Sequence, residues 1–120
     1  MSKICTDLKQ SRKLVELGLD PNTADMMYLY WINNKTKQEG IEDIPTVREE
    51  LPIQKGDVPA WSLPVLLELI PNYRIESNEL GMHKCLCKGH HTTNACNNPL
   101  DAAFEMMCWI LENGFIKEEQ

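Results

Sequence analysis

Three segments of the chain space their apolar residues by three and four positions, as one buried face of a helix requires. This pattern predicts helices over 6–17, 62–70 and 99–113. Thr6 and Ser62 stand at the start of the first two, and hydroxyl groups there accept hydrogen bonds from the unpaired N–H groups of a first helical turn. We therefore expect Thr6 and Ser62 to be N-caps.

The third predicted helix, 99–113, is the most apolar of the three. Asn98 is placed to cap it, and Pro99 falls in its first turn, where a missing N–H costs nothing. Its apolar residues form two faces and leave a narrow polar stripe. A helix of this kind has to be covered on most of its circumference, by a sheet and another helix or by a second subunit. We expect it to be the most buried helix and predict that the chain self-associates through it as a homodimer.

Four further segments have the composition of β-strands, at 26–32, 73–77, 82–88 and, less regularly, 91–96. The first is a run of aromatic and large apolar residues, for which a helical turn is the alternative. Turn residues separate the second segment from the third, which favours an antiparallel hairpin. We predict an α+β fold with a small, mainly antiparallel sheet packed against about three helices.

The segment 33–58 shows neither periodicity. It contains Pro45, Pro52 and a cluster of acidic residues. We predict a long polar and acidic loop with one short element near 47–51, which either packs over the sheet or is mobile and functional. A chain of 120 residues, 1–120, has the size of a single domain.

Composition and charge exclude several classes of function. The chain is 42% hydrophobic and 25% charged, which is typical of a globular domain in water. Its formal net charge of −6 repels phosphate backbones, so we expect no nucleic-acid partner. The sequence has neither an apolar leader nor an apolar run long enough to span a membrane. We therefore expect a cytoplasmic protein with no membrane attachment.

Thiols and imidazoles cluster near residue 90. The candidate ligands of a zinc ion are Cys85, Cys87, His90, His91 and Cys96. Against a metal, Cys-x-Cys is not the usual zinc-knuckle spacing, and two cysteines so spaced on a strand share one face, where cysteine packs as a small hydrophobe. We favour this second interpretation, with Cys85 and Cys87 facing the last helix, the two histidines in an exposed turn and no cofactor.

The sequence does not predict an enzyme. A nucleophilic site would need His90 or His91 beside Cys87, and nothing in the sequence fixes that pairing. Ser62 lacks the glycine-flanked turn of a hydrolase nucleophile, and its place at a helix start explains it. The six glycines are scattered, so no phosphate-binding loop is present.

Three large apolar side chains are candidates for a partner surface, namely Trp61, Trp109 and Met106. Trp61 stands where a predicted helix meets the long loop, and amphipathic rings in such places often meet partners. Trp109 and Met106 lie on the second apolar face of the last helix. A core uses the same residue types equally well, so both uses stay open here.

Three stretches of sequence carry a resemblance to known proteins: Thr23-Ala24-Asp25-Met26, Pro59-Ala60-Trp61-Ser62-Leu63 and Asn98-Pro99-Leu100-Asp101-Ala102. They resemble a group of short uncharacterised proteins from gut bacteria and from their phages and mobile elements. The layout of the elements is also similar to phage domains in which a small sheet lies between helices. The resemblance implies a mobile-element origin and transfers no catalytic residue.

Three hypotheses of function follow from the sequence. The leading one is a non-enzymatic accessory protein of a phage or mobile element that acts by protein–protein binding or self-association. The alternative is a protein that sequesters a small molecule, such as a nucleotide signal, in a pocket at a subunit interface. The third is a small module stabilised by zinc.

Overall fold

The computed structural model describes residues 4–48, 52–70, 73–87, 91–93 and 95–113, and for Cys87 and His91 it describes the backbone. Within these residues the fold is α+β, which confirms the predicted class. The helices are α1 (Leu8–Glu16), α2 (Leu63–Leu69) and α3 (Pro99–Asn113), with a short 3-10 turn at Pro21–Thr23. The strands are β1 (Met26–Tyr28), β2 (Tyr30–Asn33), β3 (Gln38–Ile41), β4 (Thr46–Val47), β5 (Val58–Ala60), β6 (Tyr73–Ser77), β7 (His83–Cys87) and β8 (His91–Thr92).

The start of α1 differs from the sequence prediction. Asp7, not Thr6, is the N-cap, because its carboxylate accepts from Gln10 N at 2.8 Å while its own N–H donates to Gln10 Oε1 at 3.1 Å. This is a reciprocal capping box. The hydroxyl of Thr6 turns inward and lies 2.7 Å from Ser11 Oγ, and both residues are fully buried.

Helix α1 ends at Glu16, one residue before the predicted bound of 17. Gly18 has a φ of 103° and donates its N–H to Val15 O at 3.0 Å, and Leu19 N donates to Leu14 O at 3.0 Å. This pair of bonds is the Schellman motif, which needs a left-handed residue at the position of Gly18. Leu14 and Leu19 both belong to the main core, so the turn fastens α1 to it.

Within the described residues the strands form three small antiparallel sheets, where the sequence predicts one. The predicted strand 26–32 is two strands, since β1 lies between β4 and β5 while β2 and β3 form a separate described pair. All residues of β1 are buried, whereas none in β2 is. The apolar run 26–32 therefore contributes one strand to a buried sheet and one strand to an exposed hairpin.

The interpretation of 33–58 as a loop is wrong at 38–41, where β3 lies. The short element predicted near 47–51 overlaps β4, and residues 49–51 lie outside the described part of the chain. The segment contains β3 and β4, and its last residue begins β5. Polar residues are tolerated in β3 because both faces of the β2–β3 pair meet solvent. Backbone N–H and C=O groups of β3 and β4 form hydrogen bonds with β2 and β1. In an irregular loop of that length, these groups would bind water instead.

The third sheet has the order β6-β7-β8 and confirms the predicted hairpin. Its register pairs Ile75 with Cys85 and Ser77 with His83. The predicted last strand is shorter than 91–96, because β8 covers two residues and a separate bridge joins His83 to Cys96.

The main core lies between α2, α3 and the face of β7, and a smaller one gathers around β1 and β5. Asn98 caps α3 as predicted, since Asn98 Oδ1 accepts from Asp101 N at 2.8 Å. Strand β7, α2 and α1 pack around α3, which explains its apolar circumference. In the part of the chain that is described, no helix combines the length and the apolarity that a membrane crossing needs.

Arg48 is a buried cation beside the 3-10 turn at Pro21–Thr23. Its side chain is 9% exposed, and Nη1 donates to the carbonyl oxygens of Ala24 at 2.7 Å, Pro21 at 3.3 Å and Asn22 at 3.4 Å. Its backbone N–H donates to Asp25 O at 3.0 Å. The guanidinium therefore joins the 3-10 turn to β4. The carbonyl oxygens that accept its hydrogen bonds take the place of the water molecules that would solvate an exposed guanidinium.

Candidate functional site

Two candidate metal ligands, Cys85 and Cys96, and the neighbouring His83 each have a different hydrogen-bond partner. Cys85 is fully buried in the core that α3 shares, as predicted, and its N–H donates to Thr93 Oγ1 at 2.9 Å. Cys96 Sγ donates to Glu105 Oε2 at 2.9 Å, and His83 Nδ1 lies 2.7 Å from Ser77 Oγ.

Among the described residues, no three His, Cys, Asp or Glu side chains gather closely enough to hold a metal ion. His90 and the side chains of Cys87 and His91 lie outside the described part of the chain. The preference for a structural role over zinc binding is supported at Cys85 and stays a prediction for the rest of the segment.

Two of the thiols are held in the neutral form. Burial, a hydrogen bond to Glu105 and the charge of that carboxylate together raise the pKa of Cys96 to about 12. Burial and the negative charge of Glu112 raise the pKa of Cys108 to about 11. Because the thiolate is the nucleophile, neither thiol is activated for nucleophilic attack at neutral pH.

Trp61 is not a surface residue. It is fully buried, with Nε1 donating to Thr23 Oγ1 at 2.9 Å and its backbone N–H donating to Thr6 Oγ1 at 3.1 Å. Thr6 N in turn donates to Trp61 O at 2.9 Å. The ring and its backbone therefore bind the start of the chain to the entrance of α2, and the predicted partner role at this residue is wrong.

Met106 is also fully buried, and Trp109 is half-buried against the same core. The two apolar faces of α3 that suggested a subunit interface are covered within the chain by α2, β7 and α1. The prediction of a partner surface is therefore wrong for Met106. Trp109 keeps part of its ring accessible.

Exposed apolar residues also lie on the β2–β3 hairpin, an element that the sequence does not predict. We call residues 30–41 the arm: two strands joined by a polar turn at 34–37. None of its residues is buried, and Trp31 and Ile32 are 41% and 47% exposed. The sequence does not predict the arm, because its second strand falls within 33–58, the segment predicted as a loop. The apolar first strand of the arm, its four-residue polar turn and its short second strand are nevertheless a hairpin signal.

The root of the arm is anchored on the turn before β5. Tyr30 N donates to Asp57 Oδ1 at 2.8 Å, and Gln54 N donates to the other oxygen of that carboxylate at 3.0 Å. The Tyr30 ring lies against Gly56, where an added Cβ would be 2.8 Å from Cγ of the ring. Tyr30 OH donates to Glu39 Oε1 at 3.0 Å, which raises the pKa of the phenol.

Charge is distributed unevenly along the arm. Lys35 and Lys37 lie in the turn at its tip, and Glu42 and Asp43 follow β3 at its root. Lys37 has a φ of 65°, and its N–H closes the turn on Asn33 O at 2.7 Å. One end of the arm is therefore cationic and the other anionic.

A separate surface groove runs between α1 and α3. Its volume is about 750 Å³, and it is lined by Leu8, Lys9, Gln10, Arg12, Lys13, Glu16 and Phe104. Gln10 and Phe104 also line a neighbouring hollow of about 390 Å³ beside Cys96 and Glu105. Gln10 Nε2 donates to Asp101 Oδ1 at 2.8 Å, a bond that joins α1 to α3 between the two hollows.

Within the described part of the chain, the arm and the groove are thus two candidate surfaces for function. Compared with family models, with curated proteins and with solved structures, the chain matches none of them.

Proposed function

We propose that the protein is a non-enzymatic protein-binding module and that the arm is its binding element. The observation that carries this proposal is the exposure of Trp31 and Ile32 on opposite faces of a two-stranded hairpin with no buried residue. An isolated hairpin is only marginally stable in water, and a partner that covers it adds the missing contacts. Tryptophan is also among the residue types that contribute most to binding energy at interfaces.

The chemistry of the other candidate residues supports binding over catalysis. The thiols of Cys96 and Cys108 have raised pKa values and are neutral at physiological pH. The sequence resemblance to proteins of phages and mobile elements supports the further proposal that the module is an accessory protein of such an element. Its partner is then a host protein or another copy of the chain.

The arm is tested by comparing two pairs of substitutions at exposed apolar residues. Trp31→Ser with Ile32→Thr changes the arm, and Ile44→Thr with Leu80→Ser is the matched control, since those side chains are 77% and 86% exposed elsewhere. Tagged protein is purified from source cells and retained proteins are quantified by mass spectrometry. We expect at least one protein to be retained by wild type and control and reduced at least tenfold by the arm variant. Equal recovery by the arm and control variants would contradict the proposal.

A second candidate function, small-molecule sequestration, is favoured by the groove between α1 and α3. Its volume of about 750 Å³ falls in the range of small-molecule sites. Lys9, Arg12 and Lys13 offer cations for a phosphate or carboxylate, and Phe104 offers an apolar face. NMR titration with adenosine monophosphate tests it. Shifts confined to α1 and Phe104 support the candidate, and unchanged spectra at millimolar ligand contradict it for a nucleotide.

A further inference from the structure

We infer that the partner of the arm is a second copy of this chain, bound by antiparallel pairing of β3 with β3 across a two-fold axis at Gly40. This inference rests on the proposed function, because it names what the arm binds. Three features of the arm carry it: an open backbone edge, a charge pattern that is complementary to itself in one register, and a glycine on the axis.

The hydrogen-bond phase of the hairpin shows which backbone groups face outward. Glu42 N donates to Leu29 O at 2.8 Å, so these two residues form a hydrogen-bonded pair. Such pairs alternate along an antiparallel ladder, and the register pairs Trp31 with Gly40. The N–H and C=O groups of Glu39 and Ile41 therefore point away from β2. Within the described residues, no further strand pairs with this edge of β3.

The opposite edge of the arm is blocked at its root. By the same alternation, the N–H of Tyr30 points outward from β2, and it donates to Asp57 Oδ1 at 2.8 Å. The carboxylate of Asp57 also accepts from Gln54 N, so it holds the 54–57 turn beside β2. A strand that pairs with β2 would have to displace this turn. Strand addition is therefore favoured at β3.

Charge selects one register among the symmetric ones. For outward-facing residues to pair, the two-fold axis has to pass through residue 39, 40 or 41. An axis at 39 sets Glu39 against Glu39 of the other copy, and an axis at 41 sets Glu39 against Asp43. Like charges directly opposite each other destabilise a strand pair.

An axis at Gly40 produces the complementary arrangement. It sets Lys37 of each copy opposite Asp43 of the other and Glu39 opposite Ile41. The cationic tip of one arm then lies at the anionic root of the other. No two like charges of the strands are directly opposite, so this register is the one that charge favours.

Gly40 itself suits a two-fold axis. Residues that meet there form a non-hydrogen-bonded pair with their Cα atoms only about 4.5 Å apart. Each Gly40 is already covered by the indole of its own Trp31, since an added Cβ would lie 2.8 Å from Cζ2 of that ring. The two indoles flank the axis on one face of the resulting four-stranded sheet. Pairing therefore covers part of an exposed ring.

Sedimentation equilibrium on the purified chain tests this pairing. A strand pair that joins three residues of each β3, with two indoles beside it, is smaller than a standard interface, so we expect a dimer with a dissociation constant of roughly 10 µM to 1 mM. Lys37→Asp and Asp43→Lys each place like charges opposite each other and should weaken the dimer by about tenfold. The double variant restores opposite charges and should recover most of the affinity. Asp tolerates the left-handed conformation of residue 37.

A second pair of variants separates the outward N–H of the open edge from the side chain at the same residue. Ile41→Pro removes a backbone donor from the open edge of β3, and Ile41→Ala, the matched control, shortens the side chain and keeps the N–H. Proline is accommodated in edge strands where its N–H faced solvent. We expect Ile41→Pro to abolish the dimer and Ile41→Ala to retain it, with circular dichroism confirming that both variants fold.

The outcomes separate this inference from the proposed function. A wild-type chain that is monomeric at 1 mM overturns the inference. So does a dimer that is insensitive to Ile41→Pro and to the charge reversal. The arm as a binding element is judged separately, by the proteins retained or lost with Trp31→Ser and Ile32→Thr.

Discussion

The indole of Trp31 lies over the backbone of Gly40, its partner across the β2–β3 pair, at a distance that leaves no room for a side chain there. An ideal Cβ on Gly40 would be 2.8 Å from Cζ2 and 3.0 Å from Cε2 of the ring. A glycine within a strand is conformationally costly, and an aromatic neighbour that covers it compensates part of that cost. The contact therefore both stabilises the arm and keeps one side of the indole available.

Gly40→Ala should displace the Trp31 ring and loosen the arm. The added Cβ meets ring carbon atoms, so the whole indole has to move. Because no arm residue is buried, we expect the free energy of global unfolding to change by less than about 0.5 kcal/mol. Amide hydrogen exchange should become faster over residues 30–41 and stay unchanged in α3. Unchanged exchange in the arm would show that the contact is not a stabilising one.

Arg48→Met should destabilise the fold by about 2 to 3 kcal/mol. The change removes the cation that binds three backbone carbonyl groups around the 3-10 turn and leaves them without that donor. Arg74→Met is the control, since Arg74 is 74% exposed and its contact with Glu76 is 3.4 Å long. Exposed pairs of this kind contribute little. Urea unfolding followed by circular dichroism measures both, and equal losses would refute the role of Arg48.

Trp61→Phe and Trp31→Phe should differ in their effect on stability. The first leaves a cavity in the core and removes the bond from Nε1 to Thr23 Oγ1, for an expected loss of about 2 to 4 kcal/mol. The second alters an exposed ring and should cost less than about 0.5 kcal/mol. Chemical denaturation of the two variants checks the difference, which disappears if Trp61 is a surface residue.

Stability should fall at alkaline pH because of two cysteines. The folded-state pKa values are about 12 for Cys96 and about 11 for Cys108, above the ordinary value of 9.0. The folded chain thus retains protons that the unfolded chain releases between these values. The stabilisation is complete below pH 9 and declines as pH rises toward 12. Replacing both cysteines by alanine should flatten the dependence of the melting temperature on pH from 9 to 11.

Local signals in the sequence determined the helices and their ends. Gly18 and Asn98 act on backbone groups within four residues of themselves, so their roles could be predicted without knowing the rest of the fold. The same range explains the error at Thr6. Its neighbour Asp7 is an equally good cap, and the choice depended on the burial of Thr6 against Ser11 and Trp61.

The arm could not be predicted from local patterns, because it forms only when β2 pairs with β3, and no local pattern connects these two segments. Residues 26–32 read as one apolar strand, yet β1 enters a buried sheet and β2 enters an exposed hairpin. The two strands differ in burial because β1 lies between β4 and β5, whereas β2 lies beside β3. The polar sequence of β3 shows strand character only once β2 is its partner, because neither of its faces is buried.

The sequence by itself determined the α+β class, the places of the three helices and the hairpin of β6 and β7. Each of these depends on periodicity and on capping within a few residues. Only the tertiary structure decided which aromatic and apolar side chains reach solvent. Trp61 and Trp31 are the same residue type, but Trp61 meets Thr6 and Thr23 from distant parts of the chain while the Trp31 ring lies against Gly40. Burial is set by such long-range contacts, and no local pattern contains them.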